Sequence, residues 1–217
     1  MPREKLYDRK TDVRTARVFV VACEGEHTET LYFNALAEVL RRVRVLPLPA
    51  LEGLSAPEQV IERLKEFADK CGLSVLDETT GGGELWMVLD VDRWFAPNRF
   101  HATNRVLDEA ARRGYNVAVS NKCFEVWLLF HFEEVAPHSS VQELEERLRL
   151  YLGGYAKNRL NFEKYRPQIA QAVQRARDAD IAPQQREPAH PGSRVYRLIE
   201  AMQSACGTSW PYRTENE

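Results

Sequence analysis

Between Arg17 and Cys23 the chain reads RVFVVAC, whose apolar run after the arginine predicts a strand buried on both faces, centred on Val18–Val21. From Glu29 to Arg42 the apolar positions Leu31, Tyr32, Ala35, Leu36, Val39 and Leu40 recur at helical spacing. Thr28 or its polar neighbours can cap that helix. VRVLPL, residues 43 to 48, reads as a second short strand ended by proline. APEQVIERLKEFADKCG has Pro57 near its start, a 3.6-residue rhythm at Val60, Ile61, Leu64 and Phe67, and Gly72 as a stop, so it predicts a helix. TTGGGE is a turn, and LWMVLDVD is a further buried strand, apolar over 85–89 and ending in two aspartates. NRFHATNRVLDEAARRG is a helix stopped by Gly114, YNVAVSN a strand apolar at 117–119, and KCFEVWLLFHFE an apolar segment long enough for a buried helix.

Strands alternating with helices predict an α/β fold with a largely parallel sheet over residues 17–135, behind a polar arm at 1–16. Residues 136–212 predict a helical C-terminal extension packed on that core. SVQELEERLRLYLGG is amphipathic with a Gly-Gly stop, YRPQIAQAVQRARDAD is a second helix, IAPQQREPAHPG a proline-rich loop, and SRVYRLIEAMQSAC a last helix capped by Ser193. No internal repeat is present.

The 217 residues suffice for one sizeable core, and 44% hydrophobic with 29% charged residues is ordinary for a soluble globular chain. A net charge of −2 gives no global basic field, so any nucleic-acid contact must be local. The four cysteines, Cys23, Cys71, Cys123 and Cys206, form no CxxC pair and have no histidine at metal-ligand spacing, which argues against structural zinc and for reduced thiols. The charged N-terminus lacks an apolar signal core, and no apolar run nears the roughly 18 residues of a membrane span; a cytoplasmic protein is expected.

The chemistry is concentrated at strand ends, where open α/β sheets bind ligands. The first strand ends in Cys23-Glu24-Gly25-Glu26, and the strand near residue 88 ends in Asp90-Val91-Asp92. Asp90 and Asp92 share a side in extended conformation. Crowded carboxylates raise one another's pKa, and a divalent cation removes that cost; an all-oxygen set suits Mg²⁺ or Mn²⁺. Each acid also has a structural alternative. Asp92 can pair with Arg93 or Arg99, and Glu26 can favour the dipole at a helix start. Ser120 and Asn121 close a strand at the same edge as secondary candidates. Glu125, between Phe124 and Val126, needs a partner if buried: metal, arginine or a helix-start amide. Residues 155–177 hold Lys157, Arg159, Lys164, Arg166, Arg175 and Arg177 against one acid, Glu163, with aromatics interleaved. This is either a grip for a nucleic-acid backbone or a solvated face. His27 is expected at a surface helix start, His131 at the edge of the core.

Together VACEGEHTETLYFNAL, VLDVDRWF, SNKCFEVWLLFHFE, YAKNRLNFEKY and PGSRVYRLIE, in this order over about residues 18–200, resemble the RloB family, whose core is a Toprim domain. The resemblance implies a Toprim-like α/β fold and a Mg²⁺- or Mn²⁺-dependent nuclease acting on DNA or RNA in bacterial anti-phage defence. It also implies a partner ATPase of the ABC/AAA type (RloA-like). It makes Glu24 the Toprim glutamate, as metal ligand or general acid–base, and Asp90 and Asp92 the aspartate pair. Glu125 joins them as a metal candidate, Lys157 as the stabiliser of transition-state charge, and Lys157, Arg159, Lys164 and Arg166 as nucleic-acid contacts. One departure is Lys122, where the family usually has proline. A non-catalytic regulatory subunit of a defence ATPase is the alternative, and a homo-oligomer is left open. Discriminating them requires acid substitutions that either abolish or spare function.

Overall fold

The computed structural model describes residues 16–50, 55–71, 83–91 and 94–212. Strand β1 (Arg17–Cys23) leads into helix α1 (Thr28–Val39), then β2 (Val43–Leu48), α2 (Pro57–Cys71), β3 (Gly83–Asp90), α3 (Phe100–Arg112) and β4 (Asn116–Asn121). The chain continues as α4 (Glu125–Phe130), α5 (Val141–Leu152), a single turn α6 (Phe162–Tyr165), α7 (Ile169–Ala179), a two-residue strand β5 (Gly192–Ser193) and α8 (Val195–Cys206). The sheet runs in the order β2-β1-β3-β4-β5. Its first four strands are parallel, and β5 is antiparallel to β4. This is the largely parallel, helix-flanked sheet expected of a Toprim-like fold.

Alternation along the strands sorts the core into two layers. Val20 and Ala22 of β1, with Leu85, Met87 and Leu89 of β3, pack on Val60, Ile61 and Leu64 of α2 and on α3. Phe19, Val21 and Cys23 face the other way, onto Tyr32, Phe33 and Leu36 of α1. Leu144, Leu148, Tyr165, Ile169, Leu198 and Ile199 of the C-terminal helices join that same cluster. Sandwiching between helices on both sides is why β1 is apolar over 18–23 and β3 over 85–89.

Several boundaries differ from the sequence expectation. Helix α1 ends at Val39, with Leu40 extended, so Arg41 and Arg42 lie beyond it. Pro47 lies inside β2, which an edge strand tolerates because one side of its backbone needs no partner. The 122–133 segment yields only the six-residue α4, every residue of which is buried. The helix expected from Tyr165 onward is interrupted by a 3₁₀ turn at Arg166–Gln168 around Pro167. Ser193 belongs to β5 and Arg194 is the cap residue of α8, though the Ser193 hydroxyl still accepts from Val195 N at 3.4 Å. His131 is fully buried rather than at the edge. Its Nδ1 sits 3.1 Å from the Trp127 carbonyl, so it carries the proton, and Nε2 accepts from the Tyr32 hydroxyl at 3.1 Å. Burial holds its pKa at about 3, so it stays neutral. The turn at 79–82 and the arm up to residue 15 lie outside the described residues.

Candidate metal centre

The carboxyl ends of β1, β3 and β4 bring four acids into one region. Glu24 follows β1, Asp90 ends β3, Glu29 lies in the first turn of α1 and Glu125 opens α4. A cavity of about 270 Å³ is lined there by Gly25, Glu26, His27, Thr28, Glu29, Asp90, Phe124, Glu125 and Lys157. Asp92 lies outside the described residues.

Glu24 is buried but does not line that cavity. Its Oε2 accepts from the Asp90 backbone N–H at 2.9 Å, and its Oε1 from the Trp94 indole N–H at 2.5 Å. Its geometry is that of a clamp between β1, β3 and the segment after β3. Glu29 takes the place at the cavity wall. Its Oε1 accepts from Gly25 N–H at 3.1 Å, and a Cβ on Gly25 would collide with the Glu29 carboxylate. Glycine at 25 thus lets the loop backbone close on this acid. In the sequence Glu29 reads only as the start of a helical pattern. The signal that could have found it is its spacing: five residues after Glu24, one helical turn past the loop, on the face that α1 turns toward the strand ends.

Asp90 is partly exposed as a residue, yet its Oδ1 is sealed from solvent with no hydrogen-bond partner. Burial, then the charges of Glu29, Glu24 and Glu125, push its pKa well above the aspartate range. Glu29 is also raised, first by burial and further by Glu125. Glu125 behaves oppositely. Burial works against its ionisation, but the Lys157 charge and hydrogen bonds from Cys123 and Tyr155 hold its carboxyl below the usual range. Tyr155 OH donates to Glu125 Oε1 at 2.8 Å, and Lys157 Nζ lies 3.2 Å from the same oxygen. The ammonium, 56% exposed, also faces Glu145 at 3.7 Å. The Thr28 hydroxyl donates to the Lys157 carbonyl at 2.9 Å, tying the 153–161 loop to the start of α1.

The other sequence candidates fall around this centre. Glu26 is exposed, with His27 Nε2 3.9 Å away, and both line the cavity rim. Ser120 is fully buried, its hydroxyl 2.8 Å from that of Ser193, and Asn121 Nδ2 donates to the Pro188 carbonyl at 2.8 Å. Both therefore hold the 181–193 segment against β4 and neither lines the cavity. The Asn121–Lys122 peptide, at the departure from the family pattern, is cis. Arg159 lies two residues beyond Lys157 on the same loop. Lys164 Nζ donates to the Leu152 carbonyl at 2.8 Å, closing the end of α5, and Arg166 sits 3.6 Å from Glu163 and over the Tyr212 ring.

Among the described residues no three His, Cys, Asp or Glu side chains form a ready-made metal cage. What fits a divalent ion is the donor set itself: oxygen-only carboxylates from Glu29, Asp90 and Glu125 around one cavity, with a buried Asp90 oxygen still lacking a partner. Arrangement and balance of charge are those of a group of acids short of positive charge, with Lys157 the cation that pairs with one of them.

No curated protein and no solved structure gives a match to this chain. The family comparison does: the RloB-like protein family matches residues 19–202, which takes in most of β1 through most of α8 and every acid of the centre. The chain is therefore a member of the RloB-like protein family.

Proposed function

We propose that this protein hydrolyses phosphodiester bonds of DNA or RNA at the β1/β3/β4 edge, using Mg²⁺ or Mn²⁺. The observation that carries the proposal is the partnerless, solvent-sealed Oδ1 of Asp90 among three further carboxylates. A buried carboxylate oxygen without a partner is costly, and a divalent ion would supply the missing positive charge. Asp90, Glu29 and Glu125 would hold the metal, with Asp92 following on the chain. The chemistry such an ion would supply is activation of water and stabilisation of the leaving oxygen in an in-line displacement.

The chain's own groups supply the rest. Glu24 fixes the Asp90 backbone and so the direction of its carboxylate. Tyr155 and Lys157 keep Glu125 ionised. The half-exposed Lys157 ammonium, shared between Glu125 and Glu145, would pair with a phosphate oxygen and offset charge gained in the transition state. The setting of anti-phage defence and the partner ATPase are drawn from the family resemblance alone.

The test is cleavage of end-labelled DNA and RNA by the purified chain, with and without its candidate ATPase partner, in Mg²⁺, Mn²⁺ or EDTA. Metal-dependent cleavage, reduced at least about a hundredfold in Asp90→Asn and Glu29→Gln, is the expected result. Absence of cleavage under every condition, or cleavage that survives Asp90→Asn, overturns the reading.

A further inference from the structure

Beyond the Tyr155–Lys157 stretch lies a second cavity, of about 460 Å³, that the proposed chemistry does not use. Leu152, Gly153, Gly154, Tyr155, Ala156, Arg159 and Asn161 line it. Residues 155–157 form the partition: Tyr155 and Ala156 face this cavity, while Lys157 faces the carboxylates. The volume lies within the roughly 300–1,000 Å³ of small-molecule sites. Its floor is Gly153 and Gly154 at φ of +71° and +146°, and a Cβ at either would meet nothing within 4 Å, so the floor is open backbone. Tyr155 is held by its hydroxyl on Glu125, which fixes the ring at the wall. The side chains of Arg159 and Asn161 have neither an ion pair nor a hydrogen bond among the described residues, and both are exposed.

A fixed aromatic wall, a backbone floor without side chains, an uncommitted guanidinium and an uncommitted amide match the demands of a nucleotide. The ring stacks on a base, the amide meets a base edge and the guanidinium pairs with a phosphate. A base can reach such a recess only when it is not paired in a helix. Resting on the nuclease reading of the neighbouring centre, we infer that this cavity takes the nucleotide flanking the scissile phosphate, and that the substrate is an unpaired strand or loop. Unpaired RNA and unpaired DNA share this chemistry.

The test measures binding of fluorescent 12-nucleotide single-stranded RNA and DNA, and of duplexes of the same sequence, to the full chain in Ca²⁺. Ala156→Trp fills the recess, Arg159→Ala removes its cation, and Mn²⁺ binding followed by electron paramagnetic resonance reports the carboxylate centre separately. The wild type is expected to prefer unpaired oligonucleotides by about tenfold or more, comparable to one base stack. Ala156→Trp should abolish the preference and Arg159→Ala weaken unpaired-strand binding about fivefold, both with Mn²⁺ affinity kept. Arg159→Ala, an exposed change, keeps the test valid should Ala156→Trp misfold. Equal affinity for duplex and single strand, or a preference untouched by Arg159→Ala, overturns the inference even if the protein cleaves nucleic acid. Selective binding without cleavage in any metal would uphold the recess and sink the nuclease reading instead. The better-bound sugar type identifies RNA or DNA.

Discussion

Asp90 is where single-residue chemistry has the most consequence. Its pKa is raised in the fold, so the folded chain binds the proton more tightly than the unfolded chain does. Stability from that proton is fully present below the ordinary aspartate value of about 3.9 and is lost as pH rises through the folded value. Glu29, also raised, acts in the same direction. Without divalent ions, Asp90→Asn should therefore melt above the wild type at pH 7.5. Each tenfold change in proton affinity is worth about 1.4 kcal/mol, and a gain of that order is expected. Adding Mn²⁺ should raise the wild-type melting temperature and leave the variant's unchanged; thermal melts with and without the ion decide it. Lys157 makes the opposite case. Lys157→Met removes the charge that keeps Glu125 ionised, so the acidic limb of the pH–rate profile should move to higher pH as kcat falls. An unmoved limb would show that Glu125 does not depend on this lysine. At this scale the sequence displayed Glu24, Asp90, Glu125 and Lys157 through their placement at strand ends and motif positions. It concealed Glu29, because a glutamate in a helix's first turn is common and its burial against Gly25 is a property of loop closure.

At the scale of elements, the local code was plain wherever it was self-contained. Helix α5 carries a complete capping box: Ser140 Oγ accepts from Glu143 N at 3.2 Å, and the Glu143 carboxylate accepts from Ser140 N at 2.7 Å. It ends at Gly153 in the left-handed conformation. Ser140→Ala should cost about 1 kcal/mol in urea unfolding without altering Mn²⁺ binding. The link from element to site is the Thr28 hydroxyl on the Lys157 carbonyl, which fastens the loop carrying the lysine to the helix carrying Glu29. Thr28→Val is expected to cost only about 1 kcal/mol of stability yet to lower kcat by more than the thermal melt would suggest. Equal losses in both would reduce Thr28 to a structural contact. Elements whose limits depend on neighbours were read less well. The apolar 122–133 run is a six-residue helix because chain before and after it turns to reach β4 and the C-terminal layer. Two-residue β5 has no periodicity to detect and exists only through its pairing with Ser120 and Asn121.

Across the whole molecule, the PGSRVYRLIE stretch closes the fold. Arg194, almost fully buried, reaches Asp180 through Nε and Nη2 at 3.1 Å, and donates to the carbonyls of Gln185 and Ala182 at 2.6 and 3.1 Å. Asp180 also receives Tyr196 OH at 3.0 Å and Arg197 at 2.8 Å. One buried ion network thus joins α7, the proline-rich loop and α8, while Arg194 N–H donates to Val119 in the sheet. Arg194→Ala leaves a buried carboxylate short of its main partner and should destabilise by about 3–5 kcal/mol in denaturant unfolding. Asp180 is held below the ordinary range: burial opposes that, but hydrogen bonds and charge from Arg194 prevail. Its contribution persists above the unfolded aspartate value and is lost as pH falls through the folded one, opposite in sense to that of Asp90.

The sequence by itself determined the α/β alternation, the parallel strands, the family and three of the acids, because periodicity, strand-end position and motif order are properties of the chain read in one dimension. Only the tertiary structure decided which acids share a cavity. Tyr155 meets Glu125 across 30 residues of chain and the Thr28 hydroxyl meets the Lys157 carbonyl across 129, while Gly25 closes on Glu29 only in the packed loop, and hydrophobic periodicity encodes none of these meetings.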